Sequence, residues 1–373
     1  MALDAYAMLA LVEFAAAPKL RALAEQLLHK IFFLLASQSY RGSLGSTHGR
    51  CYVGGLKTSR FENTSGLGRI GWGMGVFNGE TRATSLLAIS RLYHVPNVLQ
   101  QIGGHLPEVL TTKARSFGQL RPQFDMKAGT WDVRTLTRRT PDGMLSAALD
   151  HRPGAMGVQE HLWQAMFSPE AVIFTTYPGN SQEHGHARPN FWAGSARLPR
   201  VGMVDRTVLA LYKLEAGVGL GFTHAYFPAA MFDEWHLDGA WAFARHGDGY
   251  AALWADGDLV MTTSGKHAEQ ELRSSGKGEH WLCHVGRRAE DGDFAAFIRR
   301  VKSATPTVEA DRLRWSVDGK SLEFGWTGAL LVDGKAEDWE DYPHYDNLYT
   351  HTPMDTTEMR ITHEGSAITL PLG

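Results

Sequence analysis

Two cysteines in 373 residues are too few for a disulfide framework. A chain of this length buries enough surface to be stable without disulfide or metal staples. Cys51 and Cys283 therefore read as buried or inert thiols, and they leave the compartment open. Long runs of one charge are missing as well: 37 Lys and Arg stand against 40 Asp and Glu, for a net charge of −3. No basic stretch offers a nucleic-acid footprint, so no nucleic-acid partner is expected. Nothing reaches ~18 uninterrupted apolar residues, so no membrane span is expected either. The first residues, MALDAYAMLALVEF, lack a basic start, and Asp4 and Glu13 interrupt their apolar run. No secretory signal is read there. The chain is expected to be cytoplasmic, or secreted with a signal absent from this sequence. A P-loop, a G-x-G-x-x-G fingerprint, H-E-x-x-H and G-x-S-x-G are all absent, which weakens kinase and serine-hydrolase readings. No organic cofactor is expected.

Helical spacing opens the chain. Leu3, Tyr6, Ala7, Ala10, Leu11 and Phe14 recur over 3–16, and Pro18 marks a break that also opens a second helix over 19–38. That second helix has an unusually wide apolar face. Residues 39–79 are dense in Gly, Ser, Thr and Asn and read as a long functional loop. A third helix is expected over 80–94, ended by Val95-Pro96. From about 118 the pattern is β: short runs such as AVIFTTY and GYAALWA alternate with turn dipeptides, among them Asp318-Gly319 and Asp333-Gly334. One helical interruption is expected at 289–302. The fold class is α+β, with a short helical region over 1–115 and a large antiparallel β-sandwich over 116–373.

Three clusters carry possible chemistry. Ser46-Thr47-His48-Gly49-Arg50-Cys51-Tyr52 supplies a base, a cation and a phenol; the plainer reading is a helix-capping loop. Gln182 to Trp192 contains His184 and His186, which share a face if the segment is a strand and then suit two metal ligands, with Asp205 a candidate third. An H-x-H pair alone is a weak metal signal. His224 and Tyr226 share a face in the same way, against the plainer reading of a satisfied core histidine. Eleven Trp and eleven Tyr offer flat faces for sugar rings, though a Trp-rich core accounts for at least half of them.

These residues resemble those of the heparinase II/III-like polysaccharide lyases, which join an α/α toroid to an antiparallel β-domain. The E-H-G-H-A-R-P-N-F-W segment at 183–192 looks like the family's G-H-A stretch, and S-T-H-G-R-C-Y at 46–52 like a loop facing the toroid's cleft. The resemblance spans about residues 20 to 300. A complete toroid has more helices than the three read here, so the chain resembles a short form. An exposed apolar face on 19–38 then points to a homo-oligomer.

The resemblance implies β-elimination on an acidic, uronic-acid-containing polysaccharide or oligosaccharide. It implies Tyr52 as acid/base and His48 as its partner. Arg50 and Asn63 would neutralise the substrate carboxylate, and His184 would reach in from the β-domain. Trp72, Arg188, Trp192, His224 and Tyr226 would contact sugar, and His186 and Asp205 would hold one structural zinc. The runner-up readings are a non-catalytic carbohydrate-binding protein and a metal-dependent glycan hydrolase built on His184 and His186.

Overall fold

The computed structural model describes residues 1–120 and 129–372. Helix α1 (Ala2–Phe14) and α2 (Pro18–Gln38) form where helical spacing places them. Pro18 opens α2, where its fixed φ suits the first turn and its missing N–H costs nothing. The two helices pack through Ala5, Leu9 and Val12 on one and Ala24 and Leu28 on the other. The wide apolar face of α2 divides: Leu28 and Phe32 are buried, whereas Leu23 and Leu27 remain 49% and 51% exposed.

Residues 39–79 differ from the loop expected. They fold into a two-strand ladder, Ser39–Tyr40 with Ser43–Leu44, then α3 (Val53–Lys57), a 3-10 turn at Ser59–Phe61 and α4 (Ser65–Trp72). Both helices are glycine-rich, so propensity argues against them. Packing overrides it: a Cβ on Gly66 would lie 2.4 Å from Thr84 Oγ1, so the glycine is what lets α4 approach α5 (Arg82–Ile89). Helix α5 is shorter than the segment expected over 80–94. Helix α6 (Asn97–Gly104) was not anticipated; it starts directly after Pro96. Trp72 lies over Gly103 of α6, where a Cβ would come within 2.3 Å of the indole.

The first long strand runs Leu110–Leu120, so the boundary expected at 115/116 falls inside it. Among the described residues, ten strands form one sheet, six a second and five a third, and every registered pairing is antiparallel. Strand alternation puts Ala251, Leu253 and Ala255 toward the ten-stranded sheet, in a core with Trp163 and Trp281. Tyr250, Ala252 and Trp254 face the other way, toward the five-stranded sheet. That second core includes Phe297 of a helix within the expected 289–302 span; α7 (Arg288–Asp291) precedes this helix, α8 (Phe294–Val301). Asp293 caps α8 by accepting from the Ala296 N–H at 2.7 Å. Asp318-Gly319 and Asp333-Gly334 turn their hairpins with both φ angles positive, the geometry that matches strand twist. The fold is α+β, a helical region followed by a layered antiparallel sandwich.

The helical layer is closed by the last strands. Tyr345, Tyr349, Met359, Ile361 and Leu370 share one core with α1, α2 and α6. No helix among the described residues is long and apolar enough to cross a membrane.

Candidate functional site

The polar segment before α3 is stitched to the ten-stranded sheet by backbone. His48 N–H donates to His161 O at 3.1 Å, and His161 N–H returns to His48 O at 2.8 Å. Cys51 N–H donates to Gln159 O at 3.0 Å, and Gln159 Nε2 to Cys51 O at 2.8 Å. Farther on, Ser59 N–H donates to Pro169 O, and Arg60 pairs with Glu170. Cys51 is buried in this seam, and burial pushes its thiol up to about 12; Cys283 is also buried and free.

These ties hold His48, Arg50, Tyr52 and Asn63 around one cleft of about 550 Å³, together with Glu62 and Arg82. The Arg50 guanidinium donates to the Tyr52 hydroxyl from Nη2 at 2.9 Å and from Nε at 3.2 Å. Arg188 approaches from the β-domain, its Cζ 5.6 Å from the Tyr52 ring centre, and its Nη1 is buried without a hydrogen-bond partner among the described residues. His48 Nε2 lies 3.5 Å from Glu62 Oε2, while Nδ1 is buried without a hydrogen-bond partner among the described residues. Burial works against the charge on Glu62, but the His48 hydrogen bond and charge outweigh it and hold the carboxyl below the usual range. Behind His48 sits His161, ring centres 6.0 Å apart. Burial lowers His161 to about 3, so it is a neutral ring, with Nε2 2.9 Å from Gln164 Oε1.

A second polar group locks the seam. Lys57, at the end of α3, donates to Glu183 Oε1 at 2.7 Å, and Trp192 Nε1 donates to the same oxygen at 2.9 Å. Asn190 Nδ2 donates to Glu183 O at 2.5 Å, and Phe191 N–H to Gln182 O at 2.9 Å, so the loop carrying His184, His186 and Arg188 is pinched at its neck. Burial raises Glu183, but the Lys57 hydrogen bond and charge prevail and leave the carboxyl below its ordinary 4.5. A carboxyl lowered by folding stabilises the fold above its unfolded pKa and loses that contribution as pH falls through the folded value. Stability is therefore expected to decline on acidification below pH 4.5, and less steeply in Glu183→Gln. Chemical denaturation across that range checks this; identical acid profiles for the two proteins would rule Glu183 out as a contributor.

The structure thus brings together His48, Arg50, Tyr52, Asn63 and Arg188. It corrects the other placements. His184 and His186 stand exposed on bends, not on a strand: Gly185 takes φ +110°, and the shared face required for a metal pair does not form. Asp205 sits at the hairpin turn between Arg200–Val204 and Thr207–Leu211 and pairs with Lys320. Among the described residues no three His, Cys, Asp or Glu side chains group as metal ligands. His186 and Asp205 do not fit the structural zinc, and nothing below depends on one.

Trp192, His224 and Tyr226 are core residues without a face open to sugar. Trp192 stacks on His224 at 4.1 Å and meets Tyr226 edge-on; His224 Nδ1 is 2.8 Å from Glu271 Oε1, and its Nε2 2.8 Å from Thr176 Oγ1. Trp72 packs edge-on against Phe32 within the helical layer. Glu62, Lys57 and Arg82 were missed by sequence reasoning. Glu62 carried one signal, an acid next to Asn63 inside a loop otherwise short of them. No protein-family model, curated protein or solved structure matches this chain, and the lyase resemblance stands on the 46–52 and 183–192 segments alone.

Proposed function

We propose that the seam site is the β-elimination centre of a polysaccharide lyase acting on a uronic-acid-containing polymer. The observation that carries this reading is the setting of Tyr52. Its oxygen accepts from Arg50, which leaves its own proton free to be donated, and Arg188 brings to its ring a guanidinium whose buried Nη1 has no hydrogen-bond partner among the described residues. An unpaired buried donor of that kind calls for an anion.

A uronate carboxylate placed against Arg188, Arg50 and Asn63 has its charge neutralised, which stabilises the carbanion character that develops at C5. Tyr52 serves as acid/base, with His48, oriented by Glu62, as its partner in proton transfer. The base of the Tyr52–His48 pair takes the C5 proton, and the electron pair left behind is held on the neutralised carboxylate. That pair forms the C4=C5 double bond as the C4–O4 bond breaks, and O4 leaves with a proton from the acid of the same pair. His184 has no hydrogen bond or ring contact with the cleft residues among those described, and it carries no step in this reading.

Incubation with glucuronate-, mannuronate- and galacturonate-containing polymers is the test. A time-dependent rise in ultraviolet absorbance from the unsaturated uronate is expected with at least one. Binding without any rise on all three would replace the lyase reading with that of a carbohydrate-binding protein.

A further inference from the structure

The buried His224–Glu271 pair has no part in the elimination just described, yet it lies on the same sheet face as the seam. His224 pairs in register with Arg273, and Tyr226 with both Glu271 and Phe174, so all five side chains project to one side. Glu271 is 1% exposed and accepts from His224, from Thr262 Oγ1 at 2.8 Å and from Arg273 Nε at 3.0 Å. The Arg273 guanidinium is clamped between this carboxylate and the Phe222 ring, whose centre is 3.9 Å from Cζ. It remains 45% exposed, and its two terminal nitrogens make no hydrogen bond among the described residues. A buried charged network thus fixes an outward-facing fork. Such a fork binds an oxyanion while losing little side-chain freedom.

We propose that Arg273 is a second anion-binding subsite, holding the carboxylate or sulfate of a sugar unit remote from the bond being cleaved. This rests on the lyase reading of the seam. The strand bearing Arg273 is two strand spacings, about 10 Å, from Val172–Thr176. Phe174 of that strand packs against His161, the neighbour of His48. The separation is more than one sugar ring covers, and an oligomer bridges it. Glu271 is a positioning residue here, and Arg273 makes the contact.

The experiment is calorimetric titration of the full chain with polygalacturonate, which offers only carboxylates, and with dextran sulfate, which offers only sulfates. Ultraviolet absorbance on the polygalacturonate is followed in parallel. Arg273→Ala is expected to bind at least one of the two about ten-fold more weakly, the loss of one charge-assisted contact. The polymer affected tells carboxylate from sulfate. Arg273→Lys, which keeps the charge but not the fork, is expected to recover only part of the affinity, and Arg299→Ala on the distant α8 to lose none. Melting curves establish that each variant is folded. Unchanged affinity of Arg273→Ala for both polymers would overturn the subsite alone if the wild type binds and produces the absorbance rise. Failure of the wild type to bind either would overturn the subsite; the seam reading falls only if none of the three uronate polymers gives the absorbance rise.

Discussion

Tyr52→Phe is expected to slow the absorbance rise by about 10²–10⁴-fold, the usual worth of a positioned proton donor or acceptor. The substitution removes one oxygen and leaves the ring in place. Tyr52 is 50% exposed, and among the described residues its hydroxyl hydrogen-bonds with Arg50 alone. The fold should therefore be untouched, and melting curves of the two proteins should overlay. The pairing of results is what makes this informative: a large loss of turnover with an unchanged melting temperature marks chemistry, not scaffolding. A variant that retains full turnover would remove Tyr52 from proton transfer and leave Arg50 and Arg188 as binding residues only.

Lys57→Met is expected to cost stability on a scale that few other single changes in the seam approach. Lys57 and Glu183 are only 19% and 15% exposed, and removing the ammonium leaves a half-buried carboxylate with Trp192 Nε1 as its donor at 2.9 Å and with His267 Nδ1 and Lys266 Nζ farther off at 3.4 and 3.8 Å. Breaking a pair of this kind costs about 2–4 kcal/mol, somewhat below the fully buried case because some solvent reaches it. Adding Glu183→Gln should restore much of the loss, because the stranded charge is then gone. Denaturation of the single and double variants measures both effects. A double variant no more stable than Lys57→Met would show that the cost lies in lost packing of the lysine stem on Trp192 and Tyr226, over whose rings the ammonium lies at 5.4 and 5.7 Å.

The readable parts of this molecule are those whose information is local. Helices α1 and α2 follow from apolar spacing and one proline, and hairpins such as that at Asp318-Gly319 follow from turn chemistry. Helices α3 and α4 were hidden because their glycines are poor helix formers; Gly66 of α4 is kept where Thr84 leaves no room for a side chain, whereas a side chain at Gly54 of α3 would meet open space. The same division runs through the site. His48, Arg50, Tyr52 and Asn63 are close in sequence and meet around one cleft. His224 and Tyr226 alternate as rim residues would, but alternation is blind to what covers a sheet face, and here Trp192 and the Lys57 segment cover it. For His184 and His186 the strand itself was the error: a loop pinched by Glu183 and Asn190 does not present alternate residues to one side.

The helical layer's dependence on Tyr345, Met359, Ile361 and Leu370 has a consequence for biosynthesis. Helices α1 and α2 are made well before the strands that complete their core. Until those strands emerge the helices must wait with apolar residues uncovered, a condition that favours chaperone capture and wrong association. These are also contacts between residues far apart in sequence, which close slowly. Yield of folded protein should therefore respond more sharply to changes in residues 358–371 than their distance from the seam would suggest.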